Sequence, residues 1–196
     1  MTVFNTATED ELSECVAVKL VTQVVPGGTI GLKLRKGGAG YLRSSFNKFC
    51  QMANREYVLL LTDLDRLICA PELINSWAGG FPLPEKLLFR VPVREIEAWL
   101  LADRQGMAAL MGISEASLPS QPDDLPDPKG TLLNAARNAS RSVRSELVVG
   151  RNTLASQGLG YNRVLSNYVE TIWNIDRAAD RSPSLRRAVD RLTNLP

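Results

Sequence analysis

Histidine is absent from this chain of 196 residues. Its absence excludes Ser-His-Asp and Cys-His catalysis, histidine-ligated zinc, and imidazole as a general base. Cysteine is scarce: Cys15, Cys50 and Cys69 are odd in number and too widely spaced for a disulfide framework or a CxxC-type zinc site. We therefore expect buried thiols. Any catalysis must rely on carboxylates, lysine, arginine, serine or tyrosine.

Long hydrophobic runs are also missing. No stretch approaches the roughly 18 uninterrupted apolar residues that a membrane span requires. The first residues carry no basic segment ahead of their apolar positions, and this does not fit a secretory signal. We expect a soluble, cytoplasmic protein with no membrane partner. The formal net charge of +2 is too small to indicate a nucleic-acid binder by itself.

Short apolar runs alternate with amphipathic stretches in the first half of the chain. This alternation predicts an α/β fold, with a mostly parallel central sheet of the Rossmann or Toprim kind flanked by helices. Thr8 is a candidate N-cap for the first helix. The predicted strands cover 2–7, 29–34, 56–63 and 86–93, and the predicted helices cover 8–25, 41–53, 70–77 and 94–103.

The pattern changes after a proline-rich connection that begins near residue 118. Beyond it, the spacing predicts helices over 129–143, 161–175 and 182–195. Ser182 is the expected cap of the last of these, and Pro183 its first residue. We expect an α/β core over residues 1–112, and a proline-rich connection with a helical extension packed on that core over residues 113–196.

Two aspartates end the most apolar predicted strand, in the sequence "VLLLTDLD". Residues two apart in a strand point to the same side, so Asp63 and Asp65 are expected to project together from the carboxyl edge of the sheet. Open α/β sheets bind their ligands at that edge. Two like charges there need a cation, and carboxylate oxygens suit magnesium or manganese. The alternative is a capping aspartate with a solvated neighbour.

Three further groups of charged residues follow predicted strands or the proline-rich connection. Glu9 and Glu11 come after the first strand, where they could equally compensate a helix dipole. Glu95 and Glu97 come after the fourth strand. They share a face if the strand persists and diverge by about 200° if a helix has begun. Lys129, in "DPKG", is either a phosphate contact or a solvated surface residue.

The order of these groups resembles the Toprim domain, the metal-binding module of topoisomerases and primases. The motifs that carry the resemblance are "TEDELSE", "TDLD", "VREIEAW" and "DPKG". They are most similar to the nuclease branch typified by OLD-family proteins, and to small stand-alone Toprim-like proteins that are often encoded beside an ATPase and implicated in defence against mobile DNA. The resemblance covers about residues 1–135.

The resemblance implies a nuclease that uses Mg²⁺ or Mn²⁺, with nucleic acid and an ATPase as partners and a possible homo-oligomeric state. It gives catalytic roles to Glu9, Asp63, Asp65 and Lys129, with the lysine assisting at the scissile phosphate. The Toprim glutamate is followed by glycine, whereas Glu9 is followed by Asp10, so both Glu9 and Glu11 remain candidates. The implied metal ligands are Glu9, Glu11, Asp63, Asp65, Glu95 and Glu97.

Supporting roles and rival functions complete the expectations. Arg66 and Arg94 are candidate phosphate contacts or supports of the metal ligands. The basic C-terminal helices are expected to bind nucleic acid through Arg177, Arg181, Arg186, Arg187 and Arg191. One rival function is a non-catalytic Toprim-like subunit that regulates an ATPase or binds nucleic acid. The other is a small-molecule phosphotransferase or phosphatase, for which "GGAG" offers a weak phosphate-binding loop.

Overall fold

A computed structural model describes residues 1–149 and 157–195 of the protein. Its centre is a sheet of four parallel strands in the order β2-β1-β3-β4. The predicted α/β class, with a parallel sheet flanked by helices, is confirmed. Residues 150–156 and 196, part of the predicted helical extension, lie outside the described residues. The strands are β1 (Thr2–Thr8), β2 (Gly28–Leu34), β3 (Tyr57–Leu61) and β4 (Leu87–Arg90).

The order in which the chain adds strands to the sheet changes direction after β2. The chain passes from β1 through helix α1 (Glu11–Val24) to β2 at one edge, and then returns through helix α2 (Gly38–Ala53) to β3 on the other side of β1. The carboxyl ends of β1 and β3 therefore lie side by side, with Thr8 paired with Leu61. Such a switch point opens a crevice between the strands, where α/β proteins bind their ligands.

Two hydrophobic clusters cover the two faces of the sheet. Side chains of β3 alternate between them: Leu59 and Leu61 face the cluster that contains α1, whereas Val58 and Leu60 face the cluster that contains α2. This alternation follows from the two-residue period of a strand. Because both faces are covered, the strand is apolar throughout, and this explains why it was the clearest strand signal in the sequence.

The remaining helices pack mainly on the α1 side of the sheet. Short 3₁₀ turns occupy Glu115–Ser117 and Pro122–Asp124. Among the described residues, no helix combines the length and the apolar character that crossing a bilayer requires. The helices are α3 (Ala70–Ala78), α4 (Glu97–Ala102), α5 (Arg104–Met111), α6 (Pro128–Ala136), α7 (Arg141–Leu147), α8 (Tyr161–Thr171), α9 (Ile175–Ala179) and α10 (Pro183–Thr193).

The C-terminal helices share one hydrophobic cluster with the α/β core. Trp99 of α4 and Trp173, which follows α8, are both fully buried, and the indole nitrogen of Trp173 donates to the carbonyl of Trp99 at 3.0 Å. The ammonium of Lys19 in α1 donates to the carbonyl of Val169 at 2.5 Å, near the end of α8. A cation at a helix C-terminus is favourable because the helix dipole is negative there.

The structure corrects several predicted helix boundaries. Asp10 caps α1 by accepting from the backbone of Ser13 at 2.8 Å, whereas the expected cap, Thr8, is the last residue of β1. Helix α2 begins at Gly38, three residues before its predicted start at residue 41. Ser182 caps α10, as predicted, with Pro183 as its first residue. Helix α5 was missed, and the predicted helices over 129–143 and 161–175 are each split in two.

Candidate functional site

Glu9 and Asp63 meet at the switch point of the sheet. Glu9 follows β1, and its Oε1 accepts hydrogen bonds from the Thr62 hydroxyl and, at 2.9 Å, from the backbone N–H of Asp63. The parallel register of β1 and β3 brings these residues together. Burial raises the pKa of Glu9, and the two hydrogen bonds oppose this rise only in part. The structure thus selects Glu9 as the glutamate beside the aspartates.

The carboxylate of Asp63 makes no ion pair with a cationic side chain in the described part of the chain. No side-chain hydrogen bond and no ion pair reaches it from residues 1–149 or 157–195. Burial raises the pKa of Asp63 well above its ordinary value, and the negative charges of Glu9 and Glu97 raise it further. An anion in such surroundings is stabilised either by a proton or by a cation.

Glu97, the first residue of α4, contributes a third carboxylate, and it is the most buried of the three. Its side chain is 4% exposed, and its Oε1 accepts a hydrogen bond of 2.6 Å from the hydroxyl of Tyr161 in α8. Burial raises the pKa of Glu97, while the Tyr161 bond and the charge of Lys129 lower it. Tyr161 had not been singled out because it lies 64 positions away, in a part of the sequence with no distinctive motif.

Glu95 and Lys129 close this side of the site. Glu95 lies in the loop between β4 and α4, and its Oε2 accepts from the backbone N–H of Lys129 at 2.9 Å. The ammonium of Lys129 lies 5.0 Å from the centre of the Tyr161 ring. Although a helix begins at Glu97, both glutamates reach the neighbourhood of Lys129. Glu95 and Glu97 therefore neither share one face of a strand nor diverge as two residues of one helix would.

Asp65 is presented differently from Asp63. Strand β3 ends at Leu61, so the rule that places residues two apart on one side does not extend to these aspartates. Asp65 is exposed and has a φ of 50°, and its N–H donates to the carbonyl of Arg94 at 2.9 Å. Arg94, with a φ of 66°, donates in turn to the carbonyls of Asp65 and Leu67. Its guanidinium thus holds the loop that carries Asp65.

Glu11 lies outside this group of carboxylates. Its side chain is exposed in the first turn of α1 and lines a cavity of about 370 Å³ between α1 and α8. That cavity also contains Glu14, Cys15 and Glu170. The structure therefore brings together five of the six carboxylates predicted as metal ligands along one edge of the sheet, and it places Glu11 on another surface.

A groove of about 530 Å³ passes the aspartates on the α2 side of the sheet. Asp63 and Asp65 line one part of it, and the first turn of α2 lines another. Gly37, which precedes α2, offers no side-chain cap. The N–H of Gly38 donates to the carbonyl of Glu9 at 3.1 Å, and the N–H groups that follow it in the first turn can bind an anion. Arg43 and Arg66 line the same groove with exposed side chains. Arg43 was missed because only the tertiary fold brings α2 beside β3.

The carboxylates do not form a complete protein cage for a metal ion. Within 1–149 and 157–195, no group of three or more cysteine, aspartate or glutamate side chains is arranged so that it could hold one. Magnesium is usually bound by only one or two carboxylates, together with several waters and substrate phosphates. The pair of Glu9 and Asp63 supplies oxygen donors of that type and number. The donor set therefore fits magnesium or manganese and does not fit a closed structural metal site.

Comparison with known proteins found no protein related to this chain. No family model, no curated protein and no solved structure matches the chain significantly. The resemblance to Toprim domains rests on the identity of the carboxylates and on their order along the chain.

Proposed function

We propose that this protein is a nuclease that hydrolyses phosphodiester bonds of DNA or RNA with the help of Mg²⁺ or Mn²⁺. The observation that carries the proposal is the carboxylate of Asp63 beside Glu9 and Glu97, with no protein cation in ion-pair contact within the described residues. A bound divalent cation offsets this concentration of negative charge. Waters and the phosphate oxygens of a substrate would complete the coordination of the metal.

The residues around Asp63 divide into three functional groups. Glu9 and Asp63 would hold the metal, which would supply a bound water of lowered pKa and stabilise the leaving oxygen. Asp65, in the adjoining loop, would add negative charge beside this pair. Glu97 and Glu95 lie on the Lys129 side, where the lysine ammonium faces the scissile phosphate. Tyr161 fixes the Glu97 carboxylate by its hydrogen bond. In a chain without histidine, Tyr161 would thus position the carboxylate and Lys129 would stabilise negative charge.

The groove on the α2 side supplies the second half of substrate binding. Its N–H groups, together with Arg43 and Arg66, favour phosphate oxygens next to the metal. The groove opens to solvent, so an extended strand could enter it without the movement of a lid. This openness favours a nucleic-acid chain over a small phosphorylated metabolite, which enzymes enclose more fully.

The proposal includes the partners implied by the Toprim resemblance. A small Toprim-like protein beside an ATPase would act as the effector subunit of a defence system against mobile DNA. Nuclease activity in that arrangement is switched on by the ATPase or by self-association. Assays of the isolated protein and of the protein mixed with a candidate ATPase therefore test the same site.

The decisive experiment measures metal-dependent cleavage. Purified protein is incubated with linear DNA, supercoiled DNA and RNA in the presence of Mg²⁺, Mn²⁺ or EDTA, with and without the ATPase. We expect cleavage with metal only, reduced at least about 100-fold by Asp63→Asn or Glu9→Gln, since each change removes a ligand of the metal. Asp176→Asn is the matched control, because Asp176 is exposed on α9.

Two results contradict the proposal. One is the absence of cleavage under every metal and partner condition although isothermal titration detects metal binding; this result assigns the site to the non-catalytic, regulatory alternative. The other is equal cleavage by wild type and Asp63→Asn, which places the activity elsewhere or in a contaminant. If the protein hydrolyses a small phosphate ester but does not cleave nucleic acid, the same site is assigned to a phosphatase instead.

A further inference from the structure

Three arginines form a cationic cluster beside the end of β4. Arg90 is the last residue of that strand, and Arg187 and Arg191 lie one turn apart on α10, which packs against it. Arg191 also donates to the carbonyl of Glu85, ahead of β4, at 3.0 Å. In the described ranges, 1–149 and 157–195, no acidic side chain makes an ion pair with any of the three.

Arg90 differs from an ordinary solvated arginine on the protein surface. Its Nε is buried and has no hydrogen-bond partner among the described residues. Burial lowers the pKa of Arg90, and the neighbouring charges of Arg191 and Arg187 lower it further. A half-buried guanidinium with an unsatisfied donor and two cationic neighbours is costly. An anion that binds all three arginines relieves both costs.

The other arginines of the C-terminal helices are already in ion pairs. Arg177 makes a two-pronged contact with Asp103 at 2.7 Å for both bonds, and Arg186 contacts Asp180 at 2.6 Å. Arg181 lies 3.8 Å from Glu115. Of the five arginines expected to bind nucleic acid, only Arg187 and Arg191 are outside such pairs within the described residues. Charge counting along the sequence could not separate the two groups.

We propose that Arg90, Arg187 and Arg191 bind neighbouring phosphates along the backbone of the nucleic-acid strand that reaches the carboxylate site. The choice of nucleic acid rests on the proposed function, but the binding itself does not require cleavage. Thr62, which precedes Asp63, donates its N–H to the carbonyl of Arg90 at 3.4 Å. The backbone of Arg90 therefore lies beside the residue that precedes Asp63, while Arg191 reaches the other end of β4 at Glu85. A polyanionic strand that runs along β4 can contact both the arginines and the carboxylates, because guanidinium groups suit phosphate oxygens.

The experiment measures binding without catalysis. Fluorescence anisotropy with labelled single-stranded DNA, duplex DNA and single-stranded RNA is recorded in EDTA and in Ca²⁺ over a range of salt concentrations. We expect Arg187→Ala/Arg191→Ala to weaken binding and to reduce the slope of log Kd against log salt by about 1.4 on single strands or about 1.8 on duplex, because two phosphate contacts are lost. Arg90→Gln should reduce the slope by about 0.7 to 0.9.

The matched control is Arg181→Ala/Arg186→Ala. It removes the same net charge from the same region, but from arginines already in ion pairs with Glu115 and Asp180. Its slope should stay within about 0.5 of wild type, since no phosphate contact is lost. If Arg90→Gln fails to fold, the Arg187→Ala/Arg191→Ala protein decides, because Arg187 is exposed and Arg191 half-buried.

Three results overturn this site. The first is that wild type binds no oligonucleotide in either EDTA or Ca²⁺. The second is that both double variants lose the same amount of slope. The third is that Arg187→Ala/Arg191→Ala keeps the wild-type slope but no longer binds inorganic phosphate in titration calorimetry, which would assign the cluster to a small anion. Binding that follows the expected slopes in a protein that cleaves nothing supports the arginine site while the nuclease proposal fails. The two proposals are therefore separable.

Discussion

The hydroxyl of Tyr161 donates a hydrogen bond of 2.6 Å to Oε1 of Glu97 and so joins helix α8 to the first residue of α4. Both side chains are buried, and the ring of Tyr161 also lies 5.0 Å from the ammonium of Lys129. One residue of the helical extension thus positions a carboxylate and packs against a cation of the candidate site. The extension therefore completes the site that the sheet begins.

Removing this hydroxyl should disturb the site more than the fold. Tyr161→Phe leaves the buried Glu97 carboxylate without its donor, and because that bond lowers the pKa of Glu97, the pKa should rise further. We expect a loss of about 1 to 3 kcal/mol in the free energy of unfolding, the range for a hydrogen bond to a charged group. We also expect weaker Mn²⁺ binding in isothermal titration, because a protonated Glu97 contributes less negative charge.

Tyr168→Phe is the matched control for this prediction. Tyr168 is equally buried in α8, but its hydroxyl donates at 3.3 Å to the backbone carbonyls of Leu100 and Asp103, away from the carboxylates. Its loss should lower stability by about 1 kcal/mol and leave Mn²⁺ affinity unchanged. Equal effects of the two substitutions on metal binding would contradict a specific role for Tyr161.

Without metal, Asp63→Asn should stabilise the protein at neutral and alkaline pH. Burial and the charges of Glu9 and Glu97 raise the pKa of Asp63 in the folded state, so the folded protein binds this proton more tightly than the unfolded chain does. Stability contributed by that proton is present below the ordinary aspartate pKa and is lost as pH rises through the raised folded pKa. Asparagine removes this dependence.

The measurement is thermal unfolding in EDTA as a function of pH. The advantage of Asp63→Asn over wild type should grow with rising pH and then level off, and each kcal/mol corresponds to about 2 to 4 °C in a chain of this size. Adding Mn²⁺ at about 100 times its Kd should stabilise wild type by about 2.7 kcal/mol and the variant much less. A wild type that is more stable than the variant in EDTA at pH 8 would refute the buried-charge argument.

The ion pair between Asp103 and Arg177 should be the most sensitive polar contact in the structure. Asp103 is fully buried, and besides the guanidinium it accepts from the N–H groups of Gly106 and Asn174. Asp103→Ala removes the buried partner of a partly exposed guanidinium and leaves the two N–H donors unsatisfied. We expect a loss of about 2 to 6 kcal/mol in urea unfolding, since each unsatisfied donor costs about 1 to 3 kcal/mol.

The exposed pair of Asp180 and Arg186 is the control for that prediction. Its contact distance of 2.6 Å is similar, but its side chains are 69% and 40% exposed. Asp180→Ala should therefore cost no more than about 1 kcal/mol, because water screens the charges and replaces the lost contact. Comparable losses of stability in the two variants would show that burial does not account for the contribution of the Asp103 contact.

The cysteines should differ in their reactivity towards iodoacetamide. Burial raises the pKa of Cys15 to about 11, with a further contribution from Glu170. At pH 8 only about one Cys15 thiol in a thousand is then the reactive thiolate. Cys69 is exposed. Mass spectrometry should find Cys69 labelled first and Cys15 last, and simultaneous labelling would contradict the raised pKa of Cys15.

The sequence alone was sufficient for the fold class and for the presence of four strands, although the predicted strands 56–63 and 86–93 run past the observed ends at Leu61 and Arg90. The strand at 57–61 is covered on both faces, so burial required apolar residues at every position and made it easy to recognise. Helix starts were less predictable. Two residues near the first helix, Thr8 and Asp10, can both cap, and only the end of β1 decides between them. The start of α2 was hidden because glycine is the poorest helix former after proline.

The site was only partly predictable, because its residues come from distant parts of the chain. Parallel strands place their carboxyl ends at one edge, and Glu9, Asp63 and Asp65 could therefore be grouped from their positions alone. Glu9 could not be chosen over Glu11, since the choice depends on the Thr62 and Asp63 donors across the sheet. The metal-binding roles stay predictions.

What the sequence by itself determined was the chemistry available and the edge where it gathers. The lack of histidine restricts that chemistry to carboxylates and basic side chains, and the strand order places them together. Only the tertiary structure decided which charges are neutralised. Arg177 is paired with Asp103, whereas Arg90 and Asp63 have no ion-pair partner among the described residues. Charge pairing depends on distances of a few ångströms between remote segments, and no local pattern in the sequence encodes them.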